Sequence, residues 1–91
     1  MTPQQATDIA MATITQRGKD YDKQEGERSM AATVAAFNAI VGSGLKESDG
    51  WLFMLLLKQV RQYQKPGFHE DSAIDSIAYS ALLAESLSNG K

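Results

Sequence analysis

An all-α fold is predicted by three features of the chain. Apolar residues return at every third or fourth position in four separate stretches, the period of an amphipathic helix. No stretch alternates apolar and polar residues as a half-buried strand does. Capping and breaking residues stand at the gaps between the stretches, with Thr2-Pro3 before the first, Gly42-Ser43-Gly44 after the second and Pro66-Gly67 after the third. Helices are therefore expected over about 3–17, 29–41, 48–65 and 70–88, packed as a four-helix bundle in one domain spanning 1–91.

The first helix opens with Thr2 as N-cap and Pro3 at its first position, where a missing N–H costs nothing. Ala6, Ile9, Ala10, Thr13 and Ile14 form a modest stripe, and Gly18 is expected to end it. Residues 17–29 then crowd charges of both signs around Tyr21, between Gly18 and Gly26, and read as a loop longer than the usual connection. A solvated linker is the plain reading of such a run, and a functional loop the alternative.

Ser29 is expected to cap the second helix. Met30, Val34, Phe37 and Val41 lie on one face, flanked by alanines that permit close helix–helix approach. The third helix is the one around which the chain is expected to be organised. Ser48 is its expected cap and Asp49 suits its first turn. Trp51 to Leu57 is apolar at every position, which predicts a helix covered on all sides. The run then turns polar, and Lys58, Arg61 and Lys65 stack cations along one face. In the fourth helix, Ile74, Ile77, Ala78, Ala81, Leu82 and Ala84 supply the core stripe, and Asp71, Asp75 and Tyr79 follow one another at steps of four.

Composition excludes several classes of function. A chain of 91 residues buries only about 60–65% of its unfolded surface, so its margin of stability is thin and self-association is a common remedy. The absence of cysteine excludes disulfides and cysteine-based zinc sites, and fits a cytoplasmic setting. No secretory signal is visible, and seven consecutive apolar residues fall far short of the ~20 that span a membrane. Nine basic and eleven acidic residues give a net charge of -2, which argues against a duplex nucleic-acid partner. One histidine makes neither a zinc site nor a catalytic dyad.

Three polar groups remain for chemistry: the loop 17–29, the stripe Lys58/Arg61/Lys65, and the set Glu70, Asp71, Ser72, Asp75 and Tyr79. Carboxylates one helical turn apart can share Mg²⁺ or another hard cation, which makes Glu70, Asp71 and Asp75 candidate metal ligands. Acids in a first turn also suit the helix dipole with no metal at all. Asp75 lies deeper, and a carboxylate on a packed face needs a cationic or metal partner, for which Lys58 and Arg61 are at hand. Those two cations either neutralise Asp71 and Asp75 or bind phosphate, a group that the arginine fork suits. Tyr21 offers a surface for base stacking, and Tyr79 a hydroxyl donor.

The order Arg17-Gly18-Lys19-x-Tyr21, an Ala-rich helix, Leu55-Leu56-Leu57-Lys58-x-x-Arg61, then Glu70-Asp71-Ser72-x-x-Asp75-x-x-x-Tyr79-x-Ala81-Leu82 resembles small phage and prophage proteins distantly similar to the MazG-like all-α nucleotide pyrophosphohydrolases. The similarity covers roughly residues 13–87 and is most specific from His69 to Tyr79. It implies a MazG-like bundle, assembly as a homo-oligomer, a nucleotide ligand and a host-cell cytoplasmic location. It also implies Mg²⁺ held by a Glu-x-x-Glu pair on one helix and a Glu-x-x-Asp pair on the next. No Glu-x-x-Glu occurs in this chain; Lys58 and Arg61 stand where it would fall.

Three readings follow. The first is a phage-encoded nucleotide-binding protein that sequesters a host nucleotide signal used in antiviral defence, or modulates the nucleotide pool, without turnover. In it Arg17, Lys19, Arg28, Lys58 and Arg61 contact phosphates, Tyr21 or Trp51 stacks on a base, and Asp75 and Tyr79 complete the base and sugar contacts. The second is a Mg²⁺-dependent nucleoside triphosphate pyrophosphohydrolase, with Glu70, Asp71 and Asp75 as metal ligands and Asp20, Asp22, Glu25 or Glu27 completing the shell. The third is a non-catalytic helical adaptor that binds another protein through the Leu-rich helix.

Overall fold

The computed structural model describes residues 1–22 and 29–90, with Tyr21 and Asp22 described by backbone alone. Among these, four α-helices and no strand are found: α1 (Pro3–Arg17), α2 (Ser29–Val41), α3 (Glu47–Gln64) and α4 (Glu70–Ser88). The chain is all-α, and the helices begin and end within a residue of their expected positions.

Local chemistry explains most of the boundaries. Thr2 caps α1 through a reciprocal box: its Oγ1 accepts from the Gln5 backbone N–H at 3.1 Å, and its own N–H donates to Gln5 Oε1 at 2.8 Å. Gly18 is the C-cap of this α-helix, as expected, but it does not end the helical path of the chain. It keeps right-handed helical angles and passes the chain into a π-helical turn, Gly18–Asp22, so the charged segment starts as a continuation of α1 rather than as a loop. At the other end of α2, Asn38 organises the connection to α3. Its Oδ1 accepts from the Leu45 N–H at 2.9 Å and from Ser43 Oγ at 2.7 Å, while Nδ2 donates to the Leu45 carbonyl at 2.9 Å. Gly42 sits there at φ 71°, the left-handed region that glycine tolerates.

The N-cap of α3 lies two residues before the expected cap at Ser48. Lys46 is the flanking residue, and Asp49 Oδ2 accepts the Lys46 N–H at 2.8 Å, so Asp49 supplies the capping contact while Ser48 is buried. Gln62 bridges the turn into α4, donating to the Gly67 carbonyl at 3.1 Å and accepting from the His69 N–H at 3.3 Å.

The helix at the centre is α4, not α3. It lies between α1 and α3, and eight of its residues are buried against two in α3. The contacts Trp51–Tyr79, Lys58–Asp75 and Gln62–His69 step back along α3 as they step forward along α4, which makes the two an antiparallel hairpin. The core between them is small: Trp51, Tyr79 and Leu82, with Met30, Met54, Leu55 and Leu83 packed around it. Tyr79 and Trp51 rings lie 5.9 Å apart at a 30° tilt, and the indole N–H donates to Glu47 Oε2 at 3.2 Å.

Full coverage of the apolar run in α3 is not found. Trp51, Met54 and Leu55 turn inward, whereas Leu52, Phe53 and Leu56 are exposed. α2 packs chiefly against α3, and its own stripe is covered at Val34 but open at Phe37 and Val41. Between them α2 and α3 leave an apolar groove of about 470 Å³, lined by Met30, Val34, Phe37, Leu45, Leu52, Phe53, Met54 and Leu56. Gly50 sets how closely the two helices approach, because a Cβ there would fall on Met30 Sδ and 2.9 Å from Val34 Cγ2.

Candidate functional site

The inward face of α3 runs Trp51, Met54–Leu55, Lys58, Gln62, and it becomes polar at Lys58. At that level the core gives way to a cleft of about 420 Å³, within the usual range for small-molecule sites. Its walls are Ile9, Thr13 and Arg17 from α1, Lys58 and Arg61 from α3, and Glu70, Asp71, Ser72, Ile74 and Asp75 from α4, with His69 at the entry to α4.

Asp75 is the hub of this cleft. Its side chain is 12% exposed, and its two oxygens go to two different helices. Oδ1 accepts from Arg17 Nη2 at 2.8 Å, and Oδ2 lies 2.9 Å from Lys58 Nζ. The Arg17 guanidinium also rests 5.3 Å from the centroid of the Tyr79 ring, a cation–π contact to the core. Its second terminal nitrogen, Nη1, is buried and has no hydrogen-bond partner among the described residues. At the entry to α4, His69 Nδ1 and Ser72 Oγ are 2.6 Å apart, and Ser76 Oγ donates to the Ser72 carbonyl at 2.8 Å.

The structure brings Arg17, Lys58, Arg61, Glu70, Asp71 and Asp75 together in one cleft. The partners of Asp75 are Lys58 and Arg17 rather than Lys58 and Arg61. Arg61 stands exposed at the rim and makes no ion pair among the described residues. Spacing along α3 and α4 could pair Lys58 with Asp75; the return of Arg17 from a helix 58 residues away leaves no local signal.

Other candidates fall elsewhere. Trp51 is 2% exposed and belongs to the core, so it offers no face to a base. Tyr79 is likewise buried, held between Trp51 and Arg17. Lys19 is exposed on the π-helical turn and does not line the cleft. Arg28, Glu25 and Glu27, and the side chains of Tyr21 and Asp22, lie outside the described residues. Asp20 is exposed and accepts from Gln16 Nε2 at 2.9 Å.

Among the described residues, Glu70, Asp71 and Asp75 are not gathered into a set of metal ligands. Among the described residues no three metal-ligating side chains converge, and both oxygens of Asp75 already face cations. Two positive groups at that carboxylate repel a third, which is the physical reason. Asp71 and Glu70 are exposed in the first turn of α4, where the helix dipole favours them.

Among the described residues no helix is long and apolar enough to cross a membrane. No curated protein and no solved structure matches the chain. A family model described as Domain of unknown function (DUF6378) matches residues 5–87, a span that takes in the whole cleft and nearly all of the four helices. The chain belongs to that family, DUF6378.

Proposed function

We propose that this protein binds a small phosphorylated nucleotide in the cleft between α1, α3 and α4 and retains it without turnover. One observation carries the reading: Arg17, Lys58 and Arg61, from two helices, line the same cleft beside the N-terminus of α4. Arg17 and Lys58 each have donors beyond those given to Asp75, and Arg61 is uncommitted among the described residues. Arginine forks and a lysine point charge are the groups that hold phosphate oxygens. The volume suits part of a nucleotide rather than a polymer.

Retention is favoured over hydrolysis because Asp75 is already paired with two cations. A pyrophosphohydrolase needs acids that are open to Mg²⁺, and here the exposed Glu70 and Asp71 would have to serve without Asp75. A protein that binds and does not turn over lowers the free concentration of its ligand. In the setting that the phage-protein resemblance suggests, the cytoplasm of an infected host, that amounts to sequestering a nucleotide signal or modulating the pool.

The assembly proposed with this function is a homo-oligomer. The groove between α2 and α3 is apolar almost throughout, and Phe53 on its wall is 72% exposed. A chain with so small a core gains most from covering such a face with a second copy. The same face supports a second reading, a helical adaptor that docks a different protein there.

The decisive experiment is mass spectrometry of small molecules released when freshly purified protein is denatured, followed by melting curves with a nucleotide panel in EDTA and a pyrophosphate-release assay with Mg²⁺. A released nucleotide, a raised melting temperature in EDTA and no pyrophosphate release are expected. No released nucleotide and no shift with any member of the panel would overturn the reading in favour of the adaptor. Pyrophosphate release would replace it with hydrolysis.

A further inference from the structure

The most buried charge in the cleft is an acid, which is the wrong sign for an anion site. If Asp75 acted on a phosphate by Coulomb repulsion alone, it would weaken binding. Its geometry argues for the opposite effect. One carboxylate joins the last residue of α1 to the middle of α3 through α4, at 2.8 Å to Arg17 Nη2 and 2.9 Å to Lys58 Nζ. The Arg17 guanidinium also rests over the Tyr79 ring, 5.3 Å from its centroid, a second contact that restrains it.

Arginine and lysine side chains lose much rotamer freedom when held in one place. A ligand that must order them bears that cost, whereas a ligand that meets them already ordered does not. We infer that Asp75 is a positioning residue of the phosphate cleft: it holds Arg17 and Lys58 in the arrangement that receives the ligand, so anion binding depends on a carboxylate at this position. The inference rests on the reading that the cleft binds phosphate. Glu70 and Asp71 provide the internal contrast, because they line the same cleft, are exposed and make no ion pair among the described residues. Their charge can only repel.

The test is a ³¹P NMR titration with inorganic pyrophosphate in EDTA, on the wild type, Asp75→Asn, Asp75→Glu and Asp71→Asn, each first checked for helicity by circular dichroism. Asp75→Asn is expected to bind about tenfold more weakly although the chain has become less negative. Asp75→Glu keeps the charge but carries the carboxylate one methylene further, and is also expected to bind more weakly. Asp71→Asn is expected to bind more tightly. A merely structural role would lower the melting temperature of Asp75→Asn and leave the dissociation constant of the folded protein unchanged or improved, and that result overturns the inference. Should Asp75→Asn not fold, Asp75→Glu decides alone, and wild-type affinity in it is equally fatal. A wild type that binds no pyrophosphate refutes the phosphate cleft itself, an outcome distinct from tight binding by the Asp75 variants.

Discussion

Replacing Phe53 with Asp probes whether the α2–α3 groove is covered by a second copy. In the single chain Phe53 is 72% exposed, so the substitution is expected to change the stability of an isolated monomer by no more than about 0.5 kcal/mol. Burial of a whole phenylalanine is worth about 1.5–3 kcal/mol, and the exposed fraction therefore holds about 1–2 kcal/mol for an interface. In a two-fold dimer the same patch serves both copies and the loss counts twice, about 2–4 kcal/mol. That corresponds to a dissociation constant raised about 30- to 1,000-fold, before the penalty of placing a carboxylate in an apolar groove. Sedimentation velocity over a concentration series reads the shift, and circular dichroism confirms that helicity is kept. A variant that associates as tightly as the wild type, or a wild type that stays a single chain at the highest concentration reached, would refute the reasoning.

Four further outcomes follow from the geometry. Gly50→Ala should gain up to about 1 kcal/mol in helix propensity yet lose about 1–3 kcal/mol to crowding against Val34, a net loss visible as a lower melting temperature and faster proteolysis within α2. Trp51→Ala removes the largest member of the small core and should cost about 3–5 kcal/mol, enough to abolish the cooperative melt, which calorimetry checks. Lys58→Ala should both weaken nucleotide binding and destabilise the chain by about 1–3 kcal/mol, because Asp75 would keep only one of its two partners. Arg61→Ala should leave the melting temperature nearly unchanged and weaken nucleotide binding several-fold by calorimetric titration, since this side chain is exposed and makes no ion pair among the described residues.

The all-α class and the approximate bounds of the helices were legible in the residues alone. Thr2-Pro3, Pro66-Gly67 and the three- and four-residue recurrence of apolar positions act within one or two turns, so local chemistry places α1 to α4 to within a residue, though not the cap of α3. The sequence also indicated that Asp75 needs a cationic or metal partner, with Lys58 and Arg61 as the cations at hand, and of these two it is Lys58 that pairs with it. Gly18 shows the limit of local rules: the α-helix ends there as expected, yet the chain goes on as a π-helical turn rather than as a loop.

Which helix is central, which face of α3 is covered, and where α1 ends relative to α4 were decided only by tertiary packing. A run that is apolar at every position carries no phase, so Trp51 to Leu57 could not announce that Trp51, Met54 and Leu55 face inward while Leu52, Phe53 and Leu56 face out. The pairing of Arg17 with Asp75 joins residues 58 apart, and no local pattern encodes a contact whose geometry depends on how two helices dock against a third. Trp51 was a plausible stacking surface as a letter in the sequence. Packed against Tyr79 at 2% exposure, it belongs to the core, and the cleft lies about two turns further along, where the inward face of α3 changes from carbon to charge.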